Sequence, residues 1–269
     1  MLENSTVPVQ DKTCMEHNFC KKEDSYLKSD QNNTSFFSRR KGRRKKIMSL
    51  LFCLLTIFIV LVLVKYMDFD LVLQEHFYNR ATHQWWITPE NHAHLTYFFY
   101  KGAKIFVGAL GGLAALGVLS GFVYKRIQKY RKPLFILALS IFLVPAVVGG
   151  IKQATNIYTP MQLTLYDGNK PYYPVLSQHL HKAPSDKKGL GFPAGHATTG
   201  FALMSLYFCF RKRQLRYLGL GLGISLGWIL GLYQTFRGEH FLSHTIVSMF
   251  TAWIIIVLVE LIVSRYLPE

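Results

Sequence analysis

Hydrophobic positions along this chain neither alternate nor recur in amphipathic stripes. They run on in long blocks, broken by short clusters of Lys and Arg. Six blocks have the length a bilayer core demands of a helix, about 17–25 mostly apolar residues. They are Ile47–Val64, Ala103–Val123, Leu134–Ile151, Pro193–Phe210, Tyr217–Tyr233 and Phe241–Val263. Six helices of a large soluble core would have similar lengths, but KIFVGALGGLAALGVLSGFVYK offers no polar face to water. The pattern predicts an all-α membrane protein, a bundle of six transmembrane helices. Between the first two blocks lies DFDLVLQEHFYN, with Phe69, Leu73 and Phe77 one helical turn apart beside Leu71 and Val72. This resembles a small amphipathic helix lying in the membrane interface, and Trp85 and Trp86 suit the aromatic belt that follows.

Charge sets the orientation. The chain has 269 residues, 50% hydrophobic and 14% aromatic, with a formal charge of +16. Lys and Arg near span ends are retained on the cytoplasmic side. RRKGRRKK before block one, KRIQKYRK between blocks two and three, RKRQLR between blocks four and five, and Arg265 after block six all agree with cytoplasmic termini. The basic balance therefore reads as topology and as attraction to anionic membrane lipids, with no nucleic-acid partner implied and no obligate protein partner evident. Residues 1–38 are polar, mixed in charge and without periodicity, which predicts a disordered tail. The expected organisation is a disordered basic cytoplasmic tail over 1–46, a six-span domain over 47–263 and a short cytoplasmic tail over 264–269. Span one lacks the small-residue pattern of a cleaved leader. Cys14, Cys20, Cys53 and Cys209 match neither a zinc spacing nor a disulfide framework.

Three segments then fall outside: 65–102, 152–192 and the short TFRGEH turn. The second is rich in Pro, Tyr and Gly and reads as an ordered loop. On these boundaries stand Lys152, His196, Arg237, His240 and His244. Any one of them alone could merely snorkel. Five ionisable residues from three distant helix ends at one depth of the bilayer point to a site. In GFPAGHATTG, Pro193 suits a first helical turn and Gly195 admits close approach of a ligand. Free amides there would attract an anion, and Lys152 and Arg237 add charge. Two histidines beside such a phosphate suit a nucleophile and a general acid. A metal site on His240, His244 and Glu239 is the alternative, although Glu239 and His240 are adjacent and point apart on a helix.

KQATNIYTP (152–160), PAGH (193–196) and RGEHFLSH (237–244) resemble the three motifs of the type 2 phosphatidic acid phosphatases, the PAP2 superfamily. YDGNKPYYP followed by GFPAGHATTGFAL is similar to a bacterial inner-membrane branch. The resemblance covers roughly residues 68–262. It implies a lipid phosphatase that needs no metal or other cofactor. Lys152 and the Ala194 and Gly195 amides would hold phosphate, and His196 would protonate the leaving oxygen. His240 would attack phosphorus and form a phosphohistidine. Three positions depart from the pattern: Thr159 and Gln234 stand where Arg is expected, and His244 where Asp would orient the nucleophile. Arg237 is placed to replace one lost charge, and His244 is expected to accept a hydrogen bond from His240.

The expected substrate is a lipid phosphate or diphosphate of the lipid A, undecaprenyl diphosphate or phosphatidate type, met at the periplasmic face of the inner membrane. Phosphoryl transfer from a polyprenyl diphosphate to lipid A shares the same chemistry and stays open. So does a non-catalytic lipid-binding relative. A transporter would place charge in mid-span and show an internal repeat, and the chain shows neither.

Overall fold

The computed structural model describes residues 42–88, 97–175 and 189–267, so residues 1–41 of the tail expected over 1–46 lie outside the described residues. The chain divides into Met1–Ser49 and Leu50–Glu269. Residues 42–49 of the first unit are helical, so 42–46, expected within the disordered tail, instead extend the first helix ahead of its apolar block. Every later element lies in the second unit.

Among the described residues, five helical runs are long and apolar enough to cross a membrane: Gly42–Tyr66, Tyr97–Val123, Arg131–Gln162, Arg213–Phe236 and Leu242–Tyr266. We label the elements α1 (Gly42–Tyr66), α2 (Phe69–Gln74), α3 (Ala103–Val123), α4 (Arg131–Thr155), α5 (Gly195–Phe201), α6 (Arg213–Phe236) and α7 (Leu242–Tyr266). Large apolar side chains point outward along the spans, among them Phe106 and Leu113 of α3 at 66% exposure. Water would not tolerate so broad an apolar surface. The protein is a membrane protein.

The fourth block differs from the rest. Seven residues of α-helix, α5, are followed by seven of 3-10 helix, Ala202–Phe208. Such a segment reaches roughly 25 Å, against a hydrocarbon core of roughly 30 Å. Hydroxyls tighten it: Thr198 Oγ1 donates to the Gly195 carbonyl at 2.6 Å and Ser205 Oγ to the Ala202 carbonyl at 2.7 Å. It is pressed onto α6 by glycines spaced four apart, Gly219, Gly223, Gly227 and Gly231. A side chain at Gly223 would start 2.3 Å from the Met204 backbone nitrogen, and one at Gly227 2.1 Å from the Phe201 ring. Gly200 answers from α5, where a Cβ would lie 2.2 Å from the Gly227 nitrogen. Small residues at fourfold spacing let membrane helices approach to backbone contact. At the end of the stripe, Gly231 meets Thr245 of α7. The core on the other side joins Ile136 and Val144 of α4, Phe201 of α5, and Ala252 and Ile256 of α7.

α2 forms where its periodicity predicts. Its two buried residues are polar, Asp70 and Gln74, while Val72 is exposed. These buried groups find protein partners in Ser243 and Thr235. After α2 a two-residue hairpin pairs Tyr78 with Trp85 and Asn79 with Gln84. Tyr78, Trp85 and Tyr166 then pack ring against ring, with centroids 4.8 to 5.4 Å apart. Trp85 is therefore part of a protein cap, whereas Trp86 stays largely exposed. The 152–192 segment extends α4 by a turn and continues as 3-10 turns at Pro160–Gln162 and Thr164–Tyr166.

The glycine seam gives a direct test. Gly223→Val should lower stability by about 1–3 kcal/mol, the usual cost of overpacking a close contact. Gly221→Ala, where nothing lies within 4 Å, should be neutral or slightly stabilising. Thermal unfolding of the two variants in one detergent separates them, and equal midpoints would show that the seam is not tightly packed.

Candidate active site

Four segments supply the site. Lys152 stands in the last turn of α4 and His196 in the first turn of α5. Arg237 and His240 lie in the turn between α6 and α7, and His244 begins α7. The turn reverses on Gly238, whose φ of 73° suits glycine. Trp85 closes over it, 2.4 Å from where a Cβ would stand.

The structure brings the predicted residues together. The His196 and His240 rings have centroids 6.2 Å apart, and His240 and His244 are 6.0 Å apart. The Lys152 ammonium lies 3.5 Å from the position of a Gly195 Cβ. The charges of Lys152 and Arg237 both act on His196. Arg237 is largely buried, 3.9 Å from the Glu239 carboxylate, with its Cζ 5.6 Å from the Tyr233 ring centre. Its Nε has no protein partner.

Sequence reasoning missed the acceptor that organises the histidines. His240 Nδ1 lies 2.7 Å from the Gly191 carbonyl oxygen, and His244 Nδ1 lies 2.9 Å from the same oxygen. A carbonyl only accepts, so each Nδ1 carries a hydrogen and each neutral ring keeps its lone pair on Nε2. The expected bond from His240 to His244 is absent: the two rings share an acceptor and do not bond each other. Gly191 is held by its own amide, which donates to the Ile157 carbonyl at 2.6 Å. A Cβ at Gly191 would fall 2.7 Å from the Tyr158 carbonyl oxygen, so glycine is required by the close approach. The GLG run before the motif was the available signal.

His244 is a tether as well. Its backbone carbonyl accepts the Ala194 amide at 3.3 Å, and its ring sits edge-on between Phe192 and Phe241 at 5.1 and 5.3 Å. The Ala194 amide is thus engaged by protein, and a phosphate cradle there would draw on the amides from Gly195 onward. The departures from the motif pattern also have structural places. Thr159 caps a 3-10 turn, its amide donating to Gln162 Oε1 at 3.0 Å. Gln234 is 1% exposed, and both its side-chain polar atoms lack a protein partner. Lys104, in the first turn of α3, was not anticipated, yet its charge acts on both Lys152 and His196. Among the described residues, no group of three or more His, Cys, Asp or Glu gathers as a metal ligand set would.

Burial pushes the His240 imidazole well below its ordinary pKa, and the Lys152 charge pushes it further the same way. The Gly191 bond opposes them in part. His240 is therefore held neutral, with a lone pair available.

Lysine, arginine and histidine side chains gathered where helices of a membrane bundle end suit a membrane-bound phosphatase. The sequence pattern of the PAP2 superfamily matches residues 133–267, and the chain belongs to that family. It is 26% identical over 183 residues to the lipid A 4'-phosphatase of Francisella tularensis subsp. novicida (strain U112). That stretch covers 66% of this chain and 79% of that protein. No solved structure matches. The chain is a lipid phosphatase. The family match begins in α4, so α1, α2 and α3 lie outside it.

The neutral state of His240 has a consequence for stability. Below about pH 6.5 an unfolded chain protonates this histidine, while the folded one resists until much lower pH. The unfolded state then binds more protons, so stability is full above that pH and falls as pH drops toward the folded pKa. His240→Gln should flatten this acid loss by up to about 1.4 kcal/mol per pH unit. Unfolding midpoints between pH 8 and 5 measure it, and parallel curves for the two proteins would contradict it.

Proposed function

We propose that this chain removes phosphate from a membrane lipid through a phosphohistidine on His240. The observation that supports it best is the shared Gly191 carbonyl, which fixes the His240 tautomer and leaves Nε2 as the nucleophilic atom. In the first step His240 Nε2 bonds to phosphorus as the bond from phosphorus to the lipid oxygen breaks. His196, whose ring is 6.2 Å from His240, takes up a proton as the anionic phosphate binds beside it and gives that proton to the lipid oxygen. In the second step His196 takes a proton from water, the water oxygen bonds to phosphorus, and the bond to Nε2 breaks. Inorganic phosphate leaves and the neutral imidazole returns. Nδ1–H of His240 donates to the Gly191 carbonyl throughout, and this bond strengthens as the ring gains positive character.

Lys152 and Arg237 bind the phosphate oxygens and offset the charge that builds on them. The amides of α5 from Gly195 onward add donors at a helix start. The unpartnered Gln234 amide and Arg237 Nε are two further donors in the same turn region. With these groups supplying charge, the reaction runs without a metal ion. His244 positions: it ties the 191–194 segment to α7 and takes no proton.

The name of the Francisella relative favours a phosphate of lipid A as substrate. Undecaprenyl diphosphate and phosphatidate present the same headgroup chemistry. The clusters at Arg39–Lys46, Lys125–Lys132 and Arg211–Arg216 favour an inner-membrane protein with cytoplasmic termini and a periplasmic site. In this arrangement the short α5 segment and its 3-10 continuation complete a sixth crossing, recessed at the end that carries His196.

Purified protein in detergent should release inorganic phosphate from lipid A faster than from undecaprenyl diphosphate or phosphatidate, and EDTA should leave the rate unchanged. A rate that vanishes in EDTA and returns with zinc would overturn the metal-free mechanism. Phosphate passed to a second lipid, with none released, would instead assign a phosphotransferase.

A further inference from the structure

α2 lies outside the stretch matched to the family, and its buried residues are polar. Asp70 and Gln74 are each 1% exposed and stand four residues apart, hence on one face. Asp70 Oδ1 accepts the Ser243 amide at 3.2 Å, and Asp70 Oδ2 accepts the Ser243 hydroxyl at 2.6 Å. Gln74 Nε2 donates to the Thr235 carbonyl at 3.0 Å. Thr235 belongs to the last turn of α6 and Ser243 to the first turn of α7. Between them runs the turn that carries Arg237 and His240.

Each bond meets a need of the helix end it touches. The residue that caps α7 at its start, Phe241, has no side-chain acceptor, so the first-turn amides lack the usual local partner. Asp70 supplies a carboxylate from another helix, where the positive end of the dipole favours it. At the end of α6, Gln74 supplies a donor where carbonyls are left over. Behind the turn, the Ile87 amide donates to the Phe236 carbonyl at 3.3 Å and the Met161 amide to the Gly238 carbonyl at 2.9 Å.

We propose that α2 is a clamp on the nucleophile turn, with Asp70 and Gln74 as positioning residues that fix where α7 begins and so where His240 faces His196. The clamp acts on the phosphatase site and rests on His240 being the nucleophile. Burial pushes the Asp70 carboxyl up to about 6, and the two Ser243 bonds pull it back. The geometry thus needs an acceptor for Ser243, and the negative charge is carried against desolvation. An amide that keeps the acceptor without the charge should serve nearly as well.

The test uses the full chain in detergent, with kcat, KM and phosphoenzyme formation measured on one lipid phosphate and thermal unfolding used to count folded protein. Asp70→Ala should lower kcat on the order of 10- to 100-fold, the cost of a misplacement near 1 Å, while KM changes little. Asp70→Asn should restore most of the rate. Adding Ser243→Ala to Asp70→Ala should cost nothing further, because the two act through one contact. A wild-type kcat per folded molecule in Asp70→Ala overturns the clamp, and so does an Asp70→Asn as slow as Asp70→Ala. Should Asp70→Ala fail to fold, Gln74→Met, similar in size and lacking the donor, carries the test. Its kcat should fall at unchanged KM, and an unchanged kcat overturns the clamp. Wild-type protein that hydrolyses lipid phosphate without a phosphoenzyme would instead refute the nucleophile assignment.

Discussion

The Gly191 carbonyl holds the site together. A single backbone oxygen receives Nδ1–H from His240 and from His244, at 2.7 and 2.9 Å. Without a carboxylate beside it, His240 takes its tautomer from a neutral dipole. A carboxylate would also stabilise an imidazolium electrostatically, and a carbonyl does so only weakly. That fits an imidazole kept neutral by burial and by the Lys152 charge. The arrangement depends on a glycine, since any side chain at 191 would collide with the Ile157–Tyr158 backbone. It depends equally on His244, whose ring and carbonyl bind two points of the 191–194 segment.

Bringing that oxygen to the histidines requires α5 to lie close against its neighbours. The glycine stripe of α6 permits this, since Gly223 and Gly227 leave no room for even a methyl group. Dispersion contacts and backbone proximity drive helix association in lipid, where apolar burial gains little. Activity and fold therefore draw on the same small residues: a looser seam would move His196 as well as weaken the bundle.

The long apolar blocks were legible, because a bilayer demands length and apolarity and leaves little else to read. Five of them match helices of crossing length. The fourth was less legible, since hydropathy does not report rise per residue and cannot foresee a 3-10 continuation. Lys152, His196, Arg237, His240 and His244 were recognised from their common depth and their motifs, and the structure places them around one another. Gly191 escaped notice because its contribution is a backbone carbonyl, which side-chain motifs do not show. The polar contacts of α2 escaped notice for a related reason. Its apolar positions recur with the helical period, but its inward face is decided by Asp70 and Gln74, whose partners lie more than 150 positions along the chain. The glycines at fourfold spacing in α6 were a plain signal of close packing.

The mechanism turns on the atom that receives phosphorus. The decisive measurement is to trap the enzyme during turnover of a lipid carrying labelled phosphate, and to map the label by mass spectrometry. The mechanism predicts an acid-labile, base-stable phosphoryl group on His240, with no label when that residue is alanine. A label on any other residue, or one that survives in His240→Ala, would contradict it.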